Sequence, residues 1–130
     1  MPTVRIPTAG NELVASAAVT RLRKVTVAAG TTEVLEQLQL QCNNLPNIFV
    51  WIYQTSGVAG LVYAPQFAVD NVTSGGVVVP NWLPLTTFQA IFLNTPSFVN
   101  LRVIANMITI EIGNPTASDA ELQIVLAASQ

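Results

Sequence analysis

Polar and apolar residues alternate at period two in several separate windows of this 130-residue chain, the spacing that puts every second side chain on the same face of a β-strand. The cleanest windows lie near the end. In Met107-Ile108-Thr109-Ile110-Glu111-Ile112 the isoleucines share one face, and in Glu121-Leu122-Gln123-Ile124-Val125-Leu126 the aliphatics at 122, 124 and 126 do the same. Both read as half-buried strands. Gly113-Asn114-Pro115-Thr116-Ala117-Ser118-Asp119 lies between them with the residue types of a turn. The pattern therefore predicts two antiparallel strands joined by a medium loop.

Earlier windows follow the same rule. Residues 21–28 are rich in β-branched side chains and stop before Gly30, residues 37–42 alternate strictly, and residues 48–54 are apolar on both faces between Pro46 and Gly57. The last of these predicts a central strand. Residues 58–63, 66–72 and 77–79 add short strands, the final two joined by Thr73-Ser74-Gly75-Gly76 as a hairpin. Helix competes over residues 33–38, which are good helix formers, and at Phe88, Ile91 and Phe92, spaced i, i+3, i+4 after Thr86 and Thr87 as caps. At most one short helix is expected. The number of strands, the frequent turn signals and the lack of helical crossovers predict an all-β fold, an antiparallel β-sandwich or jelly roll with an extended N-terminal arm. We divide the chain into an arm over residues 1–10 and a single β-sandwich domain over residues 11–130. The arm sequence MPTVRIPTAG sets two prolines and a glycine around Thr3-Val4-Arg5-Ile6. Val4, Arg5 and Ile6 have no local pairing partner, which fits either an arm reaching onto a neighbour or a loose terminus.

Charge changes the picture. Only 12 of the 130 residues are charged, 9%, against about 25% in an average soluble domain. The 65 residues from 37 to 101 carry one formal charge, Asp70. Small domains keep much of their surface exposed, so a stretch this poor in charge predicts cover by another subunit or a larger assembly. A membrane span is not expected, because prolines at 46, 65, 80, 84 and 96 and glycines at 57, 60, 75 and 76 break every apolar window long enough to cross. The first residues also lack the basic segment and apolar core of a secretory signal.

Candidate chemistry is mostly excluded. The chain has no histidine, which removes the commonest general base near neutral pH and the imidazole metal ligands. With Cys42 as the single cysteine, neither an intramolecular disulfide nor a Cys/His zinc site can form, and Cys42 reads as a buried apolar residue. No phosphate-cradling glycine motif is present. The carboxylates Glu12, Glu33, Glu36, Asp70, Glu111, Asp119 and Glu121 show no spacing that brings a catalytic pair together. Asp119 and Glu121 beside an Asn-bearing loop lack calcium-loop spacing. We expect no enzyme, no catalytic residue, no metal site and no cofactor. Nucleic acid is disfavoured by a net charge of −2 and by a basic cluster limited to Arg21, Arg23 and Lys24, which reads as ion-pair partners for acids on a neighbouring strand or subunit.

Two function classes remain. One is a structural subunit whose work is to bury surface against copies of itself or a shell. The other is a carbohydrate- or receptor-binding β-sandwich of a tail or fibre, with Trp51, Tyr53, Tyr63 and Trp82 as stacking platforms. Trp51 and Tyr53 share one face of the most apolar strand, as core or interface aromatics. Trp82, between Pro80 and Pro84, is the candidate exposed aromatic. In its size, its arm-like MPTVRIPTAG, its segments RLRKVTVAAGTTEVLEQLQLQC and MITIEIGNPTASDAELQIVLAAS, and its lack of a catalytic set, the chain resembles the small cement or decoration proteins of tailed-phage capsids. That resemblance implies an all-β subunit, commonly a homotrimer. It would be made in the host cytoplasm and carried on the capsid exterior, where it clamps adjacent copies of the major capsid protein. It carries over no functional residue.

Overall fold

The computed structural model describes residues 19–42 and 45–130. The arm residues Val4, Arg5 and Ile6 lie outside them. In chain order the strands are β1 (Val19–Val27), β2 (Thr31–Val34), β3 (Leu40–Gln41), β4 (Asn47–Gln54), β5 (Val62–Ala68), β6 (Asn71–Ser74), β7 (Val77–Pro80), β8 (Leu83–Pro84), β9 (Gln89–Ala90), β10 (Ser97–Arg102), β11 (Met107–Asn114) and β12 (Ala120–Ser129). They build an antiparallel β-sandwich. One sheet has four strands in the order β1-β12-β4-β10; the other is centred on β11 and β5, with β2 and β3 beside β11 and β8 and β9 beside β5. The strands β6 and β7 pair only with each other.

The period-two windows explain the core. Ile108, Ile110 and Ile112 of β11 point inward against Leu122, Ile124 and Leu126 of β12 and Ile48, Val50 and Ile52 of β4, all buried in one apolar cluster. Burying one such side chain contributes about 1.5–3 kcal/mol, so these nine residues define which faces meet. Strand β4 is interior, between β12 and β10, as its apolar sequence predicts.

The connection between the two terminal strands is not a hairpin. β11 and β12 lie in different sheets, and residues 115–119 form a crossover from one layer to the other. Both strands bury an alternate face. Pairing them side by side would satisfy the alternation as well as stacking them does, so the pattern alone does not separate the two arrangements. β1 and β2 cross over in the same way. The two crossovers are stitched together by polar side chains: buried Asn114 Nδ2 donates to Val27 O (3.0 Å) and Ser118 O (2.8 Å), and Ala29 N–H donates to Asp119 Oδ1 (2.9 Å).

Three further expectations change. Residues 37–42 keep their alternating burial, with Leu38, Leu40 and Cys42 inside, but Glu36–Leu38 is a 3-10 turn and the strand shrinks to Leu40–Gln41. Local bonds from Leu38 N–H to Leu35 O (3.0 Å) and from Gln39 N–H to Glu36 O (3.2 Å) compete with the ladder. Among the described residues this turn is the one helical piece, and Phe88 to Phe92 is not helical: Ile91 is buried and donates its N–H to Leu61 O (2.9 Å), while Phe88 and Phe92 face outward. Finally, β5 runs straight through Pro65, joining parts of two expected strands. The ladder on its outer side is split there into β8, opposite Gln66 and Phe67, and β9, opposite Val62 and Tyr63. That break suits a proline, which cannot donate to a ladder.

Candidate interaction surface

Because β4 alternates inward Ile48, Val50 and Ile52 with Phe49, Trp51 and Tyr53, the same period that fills the core sends three aromatic rings to the outer face of the four-stranded sheet. Register fixes their neighbours. Arg102, Asn47 and Ser129 form the first row across the sheet; Asn100, Phe49 and Ala127 the second; Phe98, Trp51 and Val125 the third; Tyr53, Gln123 and Lys24 the fourth. Glu121 and Thr26 follow. The two middle rows hold no charge. Phe49 stacks on Phe98 (centroids 6.3 Å apart) and Trp51 on Tyr53 (6.2 Å), with planes 24° apart in each pair. Offset aromatic pairs of this kind add about 0.5–1.5 kcal/mol beyond their burial. They therefore present a stiff apolar surface rather than independent side chains.

A second apolar region lies along the chain. Among the described residues the exposed large hydrophobic ones are Val69, Val72, Val77, Val78, Leu83, Phe88, Phe92, Leu93, Phe98 and Ile104. All fall between positions 69 and 104, largely within the stretch whose one charge is Asp70. Scattered exposed apolar residues are ordinary; here they are concentrated in one segment of the chain. On the outer face of the second sheet, Ala64, Gln66, Leu85, Thr86, Phe88 and Glu111 line an open groove of about 530 Å³. Gln66 Nε2 donates to Glu111 Oε1 (3.2 Å) on its wall. Gly113 lies on the same face, where an added Cβ would stand 2.8 Å from Val62 Cγ2 and 3.9 Å from Phe88 Cε1.

The structure places Trp51 and Tyr53 together, half-buried and facing out of the core. Trp82 is also half-buried, and its indole N–H is shut away from solvent without a partner, so it is not an open platform. Tyr63 is buried within the sandwich, and burial pushes its hydroxyl pKa up. Burial likewise pushes the Cys42 thiol up to about 11, far from the range of a nucleophilic thiolate. Arg23 and Lys24 are exposed opposite Ile124 and Gln123, so the acids expected on the neighbouring strand are not opposite them. No group of three potential metal ligands occurs among the described residues, and no helix there is long and apolar enough to cross a membrane. Sequence reasoning missed Phe49 and Phe98. Their signal was present for Phe49, which shares the face of Trp51 and Tyr53, but Phe98 joins it only through β4–β10 pairing.

No protein-family model matches the chain, and no curated protein matches it. A solved viral structure shares its fold. A chain in the structure of infectious bursal disease virus, Gt strain, is similar with a TM-score of 0.50 at 9% identity, over 99% of this chain and 38% of that one. The present chain thus corresponds to well under half of the viral one. The mitogen derived from Yersinia pseudotuberculosis matches with a TM-score of 0.48 at 10% identity over 88% of both chains. A chain of the Bacillus endospore appendages, described as disulfide-linked pili, matches with a TM-score of 0.43 at 16% identity, over 97% of this chain and 98% of that one.

Proposed function

We propose that this protein is a structural virion subunit, a decoration or cement protein that forms a homo-oligomer, most simply a trimer, and binds between major capsid proteins on the outside of a shell. The observation that carries the reading is the concentration of exposed large hydrophobic residues between Val69 and Ile104, beside a sheet face whose middle rows are uncharged. A lone subunit would leave this apolar surface in water, whereas an assembly covers it. The resemblance to phage cement proteins agrees with this physical picture. The fold is also shared with a chain of a virus. Stapling a shell needs area and a few apolar anchors, so on this reading the protein is not an enzyme and needs no cofactor, nucleic acid or membrane.

Co-sedimentation of the purified chain with capsids lacking it tests the proposal. Saturable binding at a fixed number of copies per shell is expected, with little weakening at raised salt because the contact is apolar. The stacked Trp51–Tyr53 pair favours one second reading, a glycan-binding face. Specific hits on a glycan array, lost in Trp51→Ala, together with no binding to shells, would replace the first reading with the second.

A further inference from the structure

No other strand pairs with the hairpin β6–β7 along its length. Its strands pair only with each other, and a two-stranded ribbon alone is marginally stable in water. Val72 stands opposite Val79 and Ser74 opposite Val77, so three valines share one face of the ribbon. On that face Val72 and Val77 are 41% and 59% exposed and Val79 is half-buried, while Val78, 67% exposed, lies on the opposite face. The base, by contrast, is clamped: Asn81 N–H donates to Asp70 O (3.0 Å) and Asn81 Nδ2 to Asp70 Oδ1 (3.2 Å). Gly75 and Gly76, with φ of 57° and 80°, make the tight two-residue turn whose twist matches that of paired strands. The chain thus holds an uncharged apolar ribbon out from its body by a fixed base.

We infer that this hairpin of one copy lies on the outer face of the four-stranded sheet of a second copy, its valine face on Phe49, Trp51 and Phe98 and its Asp70 against Arg102. Charge sets the direction. The sheet face has a cation at each end, Arg102 in the first row and Lys24 in the fourth, but Glu121 follows Lys24 by one row. Asp70 laid at that end would meet a like charge, whereas Arg102 is exposed and, among the described residues, bonds Asn47 Oδ1 alone, at 3.3 Å. Length agrees with this placement. From Asp70 to Ser74 and from Asn47 to Trp51 the chain advances four residues, about 13 Å in extended backbone. With Asp70 on the first row, Val72 and Val79 reach the row of Phe49, and Val77 reaches the row of Trp51 and Phe98. The two surfaces are different parts of one molecule, so the contact either is made twice across a two-fold axis or repeats head-to-tail and closes into a ring when the rotation allows. This inference rests on the self-association in the proposed function and names the surfaces that make it.

The test is the solution mass of the full chain at micromolar concentration, by native mass spectrometry and light scattering. Asp70→Arg and Arg102→Asp should each raise the concentration at which the oligomer dissociates by roughly tenfold or more, and the two together should restore it. Val77→Asp should give monomers with an unchanged circular dichroism spectrum. Mixing a Val77→Cys protein with a Phe98→Cys protein under mild oxidation should form a disulfide-linked pair that neither forms with the wild type, since Cys42 is buried. A monomeric wild type at tens of micromolar overturns the inference, as does an oligomer unchanged by Asp70→Arg, Arg102→Asp and Val77→Asp. In the latter case shell binding can persist, so the proposed function would survive. Failure to bind shells with the hairpin contact intact would do the reverse.

Discussion

Residues 105–129 and residues 69–104 are both rich in large apolar side chains, but the fold treats them in opposite ways. In the first region Ile108, Ile110, Ile112, Leu122, Ile124 and Leu126 are sealed in the core. In the second, valines, leucines and phenylalanines from Val69 to Ile104 stay in contact with solvent. The difference is one of position: of the ten exposed residues in the second region, five sit in connections between strands and five on edge strands or on β6–β7. β11 and β12 are interior strands with neighbours on both sides, whereas β10, β8 and β9 are edges and β6–β7 stands apart. Apolar composition therefore supplies folding energy in one region and an exposed apolar surface in the other.

The sharpest way to break this comparison is a matched pair of truncations. Ile110→Ala removes a fully buried side chain and should cost about 2–5 kcal/mol of unfolding free energy in urea titration. A loss below about 1 kcal/mol would mean that β11 does not anchor the core. Alkali probes the same interior. Because burial lifts the Cys42 thiol from 9.0 to about 11, the folded state favours the neutral thiol. This contribution is complete below pH 9 and is lost as the pH rises through 11. The drop should be about 2–3 kcal/mol, and Cys42→Ala should flatten that part of the pH curve. Tyr63, also raised by burial, adds a further loss in the same direction.

Smaller effects sharpen the boundary between the regions. Gly113→Ala sets a methyl 2.8 Å from Val62 Cγ2 and should cost about 1–3 kcal/mol, with part regained when Val62→Ala is added. Asn114→Ala strips the bonds to Val27 O and Ser118 O and should cost a similar 1–3 kcal/mol, read as a lower midpoint of thermal unfolding. At the low end, Val78→Ser should change subunit stability by about 0.5 kcal/mol or less and Phe98→Ser, which loses the ring stack on Phe49, by about 0.5–1.5 kcal/mol, measured at concentrations where the subunit is dissociated. If either destabilises the subunit as much as Ile110→Ala does, the second region is core rather than surface.

Strand identity was local information. Alternation at period two marked β11 and β12, β-branched residues marked β1, an apolar run between Pro46 and Gly57 marked β4, and Gly75-Gly76 marked the turn of β6–β7, because each depends on residues adjacent in the chain. The scarcity of charge between residues 37 and 101 likewise pointed to a covered surface before any fold was known. What only the tertiary structure decided was partnership. Alternation shows that Ile110 and Ile124 each face inward, but not that they belong to opposite sheets. It shows that Trp51 and Tyr53 share a face, but not that Ile48, Val50 and Ile52 claim the core and turn the aromatic face outward. Phe98 and Arg102 join that face only through pairing of β10 with β4, strands separated by more than 40 residues of chain. The physical reason is the same in each case: the backbone period sets which side a residue takes, while long-range pairing sets what lies on that side.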